Sequence, residues 1–144
     1  MNDKRTFRLT KIDWRWLVVT YSFLVLFHLL PSLLASDMWQ FFFSKGMWRF
    51  VLWAGCGILI VSVYVARRST GVTILEPGIA SMLYMATLIP TVSDTRDIHA
   101  TGSRLVGLLV ALLLIAFLVG CIGAAAGEWL QIRTEKKQAA NQVT

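Results

Sequence analysis

Four apolar stretches occupy most of the 144 residues, and their length limits the folds open to this chain. They cover residues 14–35, 47–66, 72–92 and 105–127. A bilayer core is about 30 Å thick, so a helix that rises about 1.5 Å per residue needs about 20 mostly apolar residues to cross it. Each stretch reaches that length. The sequence therefore predicts an all-α integral membrane protein, a bundle of four transmembrane helices.

The polar segments outside these stretches are short. A basic arm covers residues 1–13 and a polar tail covers residues 128–144, which leaves residues 14–127 as one transmembrane domain. Apolar residues make up 56% of the chain, more than the roughly half that is usual for a soluble domain even when glycine is counted. We therefore expect no separate soluble domain.

Basic residues predict the orientation of the four spans. If both termini are cytoplasmic, ten of the 14 Lys and Arg residues lie inside and four lie outside. The inner residues are Lys4, Arg5, Arg8, Lys11, Arg15, Arg67, Arg68, Arg133, Lys136 and Lys137, and the outer ones are Lys45, Arg49, Arg96 and Arg104. This excess on one side follows the positive-inside rule. We expect both termini to be cytoplasmic.

The net charge of +6 belongs to these flanking residues rather than to a nucleic-acid surface. Basic residues beside apolar spans set orientation and meet anionic lipid headgroups. The expected partners are the lipid bilayer and other membrane subunits or copies of this chain, with no nucleic acid. We expect a multi-pass protein of the bacterial cytoplasmic (inner) membrane.

The third stretch has two interpretations. Pro77 and Pro90 bracket it and leave residues 78–89 uninterrupted, a length that also suits a re-entrant segment. A re-entrant segment would move Arg133 and its basic neighbours to the outside, so the charge bias favours a full span. Pro77 suits the first position of a helix, with Glu76 favourable beside the N-terminal dipole.

The fourth stretch carries a ridge of small residues. Its GxxxG element runs from Gly123 through Ala124 to Gly127, and Gly120 extends it. Small residues four apart let another helix backbone approach closely. The partner is either another helix of this chain or another subunit, and Gly55 and Gly57 are candidates for the matching surface on the second stretch. In either case these residues are the expected helix-packing site.

The segment between the first two stretches is aromatic. It is too short to span and too apolar for a free loop, and it includes Trp39, Phe41, Phe42 and Phe43. We expect a short helix in the outer interface that makes a peripheral contact with lipid or with a partner.

Two ionisable residues are candidates for a polar path. His28 lies near the middle of the first stretch, where a titratable side chain is a functional candidate. It suits a hydrogen bond to a neighbour, either Tyr21 or a hydroxyl of the third stretch, or a role as a cofactor ligand or proton relay. Glu76 begins the third stretch and suits a helix cap, a salt bridge to Arg67 or Arg68, or a coupling-ion site.

The chain contains no residue pattern for nucleophilic catalysis and no phosphate-binding glycine loop. Asp94, Asp97 and His99 share one polar loop, a grouping more typical of a solvated turn than of a metal site. We expect no catalytic residue, metal or cofactor. The leading hypothesis is a non-catalytic small subunit, a scaffold or anchor, of a larger membrane assembly. The alternatives are a self-associating channel or transporter, and a membrane redox subunit with His28 as cofactor ligand.

Overall fold

A computed structural model describes residues 12–34, 47–69, 74–93 and 102–141. In these ranges the chain forms four α-helices and no β-strand. The helices are α1 (Trp14–Leu34), α2 (Met47–Arg68), α3 (Leu75–Ser93) and α4 (Gly102–Asn141). The protein is therefore all-helical in the part described.

Helix α3 runs without interruption through both proline positions. It has 19 residues, which gives a length of about 28 Å. It begins at Leu75, three residues after the start of the predicted stretch 72–92 and two residues before Pro77. Pro77 lies in the first turn, where backbone amides have no partner within the helix, so its missing N–H costs no hydrogen bond. The structure therefore shows one continuous helix over residues 78–89.

Helix α4 is much longer than the predicted span. It has 40 residues, or about 60 Å, and continues past Gly127 to Asn141. All residues from Ile132 to Asn141 are exposed, so this part of α4 projects beyond the other helices. The polar tail that the sequence indicates is thus a helical extension as far as Asn141.

The helices pack in an order that differs from the chain order. The most extensive contacts are those of α4 with α2 and with α3, and α1 packs on α3 and on α2. Of the consecutive pairs, α1 packs on α2 and α3 packs on α4, whereas α2 and α3 touch only marginally. In the described residues α1 and α4 make no contact, because α2 and α3 lie between them.

Contacts between side chains define the helix directions. Asp13 meets Glu76, and His28 meets Tyr84, so α1 and α3 run in the same direction. Glycines of α4 contact the backbone of α2 with both residue numbers rising together, so α2 and α4 are also parallel. Phe23 meets Tyr64, while Phe27, further along α1, lies against Trp53 and Gly57, so α1 and α2 are antiparallel. The start of α1, the end of α2 and the start of α3 therefore share one end of the fold.

Large apolar side chains cover the outer surface of the helices. On α4, Val106, Leu108, Val110, Leu114, Ile115, Leu118 and Ile122 are each at least half exposed. Among the residues that the structure describes, two segments, Val51–Arg68 and Val106–Asn141, are long and apolar enough to cross a membrane. Only 17% of the most apolar part of α4 is buried inside the fold, whereas the core helix of a soluble protein would be mostly buried. This outward apolar surface supports membrane association.

Candidate functional site

The small residues of α4 lie directly against α2. A Cβ atom added at Gly123 would lie 2.9 Å from Ser62 Cβ and 3.1 Å from the Leu59 carbonyl oxygen. One added at Gly127 would lie 2.5 Å from the Val63 carbonyl oxygen. These distances leave no room for a side chain. The two glycines therefore allow the α2 and α4 backbones to approach each other.

Gly120 makes the corresponding contact with α3. Its added Cβ would lie 2.8 Å from the Pro77 carbonyl oxygen and 3.0 Å from Gly78 Cα. Ala124, one turn further along α4, is completely buried. The structure therefore places the predicted helix-packing residues between helices of one chain, with α2 on one side and α3 on the other.

The predicted matching surface on α2 is wrong. Gly55 has open space around it, and Gly57 lies against the Phe27 ring of α1 rather than against α4. The α2 residues that contact Gly123 and Gly127 lie further along, between Leu59 and Ala66. The reason is the register of the parallel pair, because the position of α4 along α2 is decided by tertiary contacts rather than by local composition.

Buried hydroxyl groups use their own helix as hydrogen-bond partner. The Thr20 hydroxyl donates to the Trp16 carbonyl at 2.7 Å, and the Ser81 hydroxyl donates to the Pro77 carbonyl at 2.6 Å. Ser69, at the end of α2, donates to the Ala66 carbonyl at 3.0 Å. Such bonds satisfy a hydroxyl in an apolar interior without help from another helix.

Ser62 differs from these residues. It is completely buried where α2 meets Gly123, and its hydroxyl oxygen has no hydrogen-bond partner among the described residues. An unsatisfied buried polar group costs about 1–3 kcal/mol. Sequence reasoning missed this residue, although a lone serine inside an apolar helix is a usable signal for helix contact.

We expect Ser62→Ala to raise stability by about 1 kcal/mol, because it removes an unsatisfied hydroxyl without changing the close packing at Gly123. Thermal unfolding of the purified protein in detergent measures the change. Ser81→Ala is the matched control, since it removes a satisfied hydroxyl, and we expect it to be neutral or slightly destabilising. A loss of stability in Ser62→Ala would contradict the assignment.

Glu76 joins the beginnings of α1 and α3. Its side chain is only 5% exposed, and its Oε1 atom accepts a hydrogen bond from the backbone N–H of Asp13 at 3.1 Å. The Asp13 side chain in turn accepts from the Arg15 backbone N–H at 3.0 Å and so caps α1. Two parallel helix N-termini thus meet at one buried carboxylate, which their dipoles favour.

The sequence indicated a cap or a salt bridge for Glu76, and the contact observed is with Asp13 of another helix. Arg68 lies elsewhere, with its guanidinium carbon 5.8 Å from the centre of the Tyr64 ring. Asp13 was not a candidate residue, although an aspartate directly before an apolar run is a usual helix-capping signal.

His28 is buried between α1 and α3. Its ring meets the Tyr84 ring edge to face, with the ring centres 5.8 Å apart. Two kinds of neighbour were predicted for His28, Tyr21 and a hydroxyl-bearing residue of the third stretch, and the ring that contacts it is of the second kind. Leu24, which is 1% exposed, lies one turn from both Thr20 and His28 on α1. This apolar side chain separates His28 from the polar groups nearer Glu76.

An apolar groove lies on the outer surface between α1 and α2. Its volume is about 300 Å³, and its lining is formed by Phe23, Leu26, Phe27, Ile60, Val61 and Tyr64. Edge-to-face contact of Phe23 with Tyr64, at 5.8 Å between ring centres, helps to hold the two walls. We call this feature the α1–α2 groove. Sequence reasoning missed it, because its two walls come from different helices.

The α4 extension carries its own local contacts. The Arg133 guanidinium carbon lies 5.3 Å from the centre of the Trp129 ring, and the Gln131 side-chain amide donates to Glu135 at 3.2 Å. Pairs three or four residues apart support a solvent-exposed helix. The extension can therefore hold its shape beyond the other helices.

Several sequence candidates lie outside the described residues. These are the peripheral contact residues Trp39, Phe41, Phe42 and Phe43, and the loop residues Asp94, Asp97 and His99. Within the described ranges, no three His, Cys, Asp or Glu side chains come together in a way that could hold a metal ion.

Comparisons of this chain with protein-family models, with curated proteins and with solved structures found no match. The functional interpretation therefore rests on the residues and contacts described above.

Proposed function

We propose that this protein is a four-span protein of the bacterial cytoplasmic membrane, with both termini cytoplasmic, and that it serves as a non-catalytic anchor subunit of a larger membrane assembly. The observation that carries the proposal is the combination of an apolar outer surface with a long helical extension at one end. The first feature suits a lipid environment, and the second suits contact with a partner outside it.

The alternating helix directions support four spans. The start of α1, the end of α2, the start of α3 and the α4 extension lie at one end, where Arg15, Arg67, Arg68 and Arg133 are also found. Basic residues concentrated at one end match the cytoplasmic side under the positive-inside rule. Exposed Trp14 and Trp129 at the same end suit an interfacial aromatic belt.

The α4 extension supports an anchor role. Ten exposed residues, Ile132–Asn141, project about 15 Å and present Arg133, Lys136 and Lys137 together with Glu135. Gly120, Gly123 and Gly127 of α4 lie against α2 and α3, so this small-residue ridge is not free for a partner. A partner subunit would therefore meet the extension, and the aromatic segment with Trp39 is the second candidate surface.

A channel or transporter formed by self-association is the alternative. It is favoured by the buried polar side chains along α1 and α3, among them Thr20, His28, Glu76 and Ser81. Against it, the buried Leu24 interrupts this row between Thr20 and His28, and the hydroxyl groups bond to their own helices. The interior thus favours packing over conduction.

Reporter fusions test the orientation. We expect a fluorescent protein fused after Thr144 to fluoresce, as it does in the cytoplasm, and alkaline phosphatase fused at the same place to be inactive. The reverse pattern would show that the C-terminal end lies outside and would overturn the proposed topology.

Purification from the native membrane in mild detergent tests the role. We expect other membrane proteins to co-purify in fixed stoichiometry, and truncation after Leu130 to release them while the remaining protein stays folded. Recovery of copies of this chain alone, with ion flux in liposomes, would favour the channel or transporter instead.

A further inference from the structure

The α1–α2 groove has the chemistry of an acyl-chain site. All six lining residues are apolar or aromatic, and the groove is open along the outer surface. Phe23, Ile60 and Tyr64 are each more than 40% exposed although they line it. Behind them, Phe27 stacks on Trp53 with ring centres 4.8 Å apart.

A positive charge lies at one end of the groove. Arg68 follows Tyr64 by four residues on α2, which places it on the same face and about 6 Å further along the axis. Its guanidinium carbon is 5.8 Å from the centre of the Tyr64 ring, and both Arg67 and Arg68 are exposed. The guanidinium group is the side chain best suited to bind phosphate oxygens in pairs.

The order of these groups matches a phospholipid. In the orientation proposed above, on which this inference depends, Arg68 lies at the level of the cytoplasmic headgroups and the groove lies deeper in the bilayer. A phospholipid presents its phosphate and then its acyl chains in the same order. Basic side chains beside clefts between membrane helices are known to attract anionic headgroups.

A partner helix fits the groove less well. Helices approach closely in membranes where small residues form the contact, and here the walls are formed by the bulky side chains of Phe23, Phe27 and Tyr64. The small-residue surface of this chain already lies between α4 and its neighbours. We propose that the α1–α2 groove binds one anionic phospholipid, with an acyl chain along the aromatic walls and the phosphate on Arg68.

Native mass spectrometry of the full chain in mild detergent tests this proposal. The probes are phosphatidylglycerol and phosphatidylcholine with the same acyl chains. One basic residue near the headgroups contributes about 1 kcal/mol, which corresponds to about a fivefold preference for the anionic lipid. We expect the unaltered protein to show that preference, Arg68→Gln to lose it, and Arg68→Lys to keep part of it.

Two further variants distinguish the contribution of the lipid headgroup to binding from that of the acyl chain. Arg133→Gln is the matched control, since Arg133 also lies over an aromatic ring but belongs to α4, which contributes no residue to the α1–α2 groove, and we expect the fivefold preference to remain. Ile60→Trp fills the groove from an exposed position, and we expect it to reduce binding of both lipids at least about fivefold, because it removes the chain site whatever the headgroup.

Several results would overturn the proposal. These are an unchanged preference in Arg68→Gln, an equal loss in Arg68→Gln and Arg133→Gln, or a cross-link from the groove to a protein helix in the native membrane. Thermal unfolding of each variant checks that it is folded. Lipid binding in detergent does not depend on orientation or on co-purifying partners, so its failure can be told apart from failure of the proposed function.

Discussion

Replacing Gly123 with leucine is expected to destabilise the protein by about 3 kcal/mol or more and to reduce the yield of folded protein sharply. The leucine Cβ alone would lie 2.9 Å from Ser62 Cβ and 3.1 Å from the Leu59 carbonyl oxygen. Adding side-chain volume to a well-packed contact typically costs about 1–3 kcal/mol, and here one of the contacted atoms belongs to the backbone, which cannot rotate away. Thermal unfolding and size-exclusion chromatography in detergent measure the effect.

The matched control for this change is on the same helix. A Cβ atom added at Gly107 meets nothing within 4 Å, so Gly107→Leu introduces the same side chain into open space. We expect it to be neutral or slightly stabilising, because leucine has a higher helix propensity than glycine. Equal stability of the two variants would show that Gly123 does not hold α2 against α4.

The small-residue ridge of α4 could pack against helices of its own chain or against another subunit, and the Gly123→Leu variant distinguishes these two interpretations. Because Gly123 contacts Leu59 and Ser62 of its own chain, Gly123→Leu should destabilise the isolated protein before any partner is considered. A Gly123→Leu protein that unfolds normally when isolated but no longer co-purifies with partners would assign the ridge to contact between subunits instead.

Removing the Glu76 carboxylate is expected to have the second largest effect. Glu76→Ala deletes the acceptor of the Asp13 N–H and so removes a partly buried hydrogen bond to a charged group, a kind of bond that contributes about 1.5–3 kcal/mol. It also removes the negative charge that the two helix N-termini favour. We expect a loss of about 2–3 kcal/mol in thermal unfolding, and faster hydrogen exchange of the amides at the start of α1.

Two variants make this expectation specific. Glu76→Gln keeps an oxygen acceptor but loses the charge, so we expect a smaller loss than in Glu76→Ala. Asp13→Ala removes the α1 cap while leaving the Asp13 N–H in place, and it should cost about 1 kcal/mol. If Glu76→Ala and Glu76→Gln were both neutral, Glu76 would not join the two helices.

Much of the helical pattern was open to prediction, because each of the four long apolar runs between polar segments favours one helix. The helices α1 and α2 begin at Trp14 and Met47, the residues at which the apolar stretches begin. The start of α3 and the end of α4 were less predictable. Glu76 lies inside the first turn of α3, and the polar residues after Gly127 continue the helix because helix propensity and local pairs do not require an apolar face.

The candidate site also has a part that could be predicted from the sequence and a part that could not. Gly120, Gly123, Ala124 and Gly127 could be named as packing residues, because small residues four apart on a helix always share one face. The helices that these residues pack against could not be named, since the small-residue spacing does not select among the other three helices of the chain. The α1–α2 groove and the Glu76 contact with Asp13 each combine residues that are far apart in the chain, so neither has a local signature.

The amino-acid sequence by itself determined the all-helical class, the apolar surface and the concentration of positive charge at one end, because these depend on composition and on the spacing of residues along a helix. Only the tertiary structure decided that α4 packs most extensively with α2, that Glu76 meets the start of α1 and that His28 meets Tyr84. The physical reason is that helix pairing depends on the fit of complete surfaces. Many pairings satisfy the same apolar pattern, and close packing and hydrogen-bond satisfaction select among them.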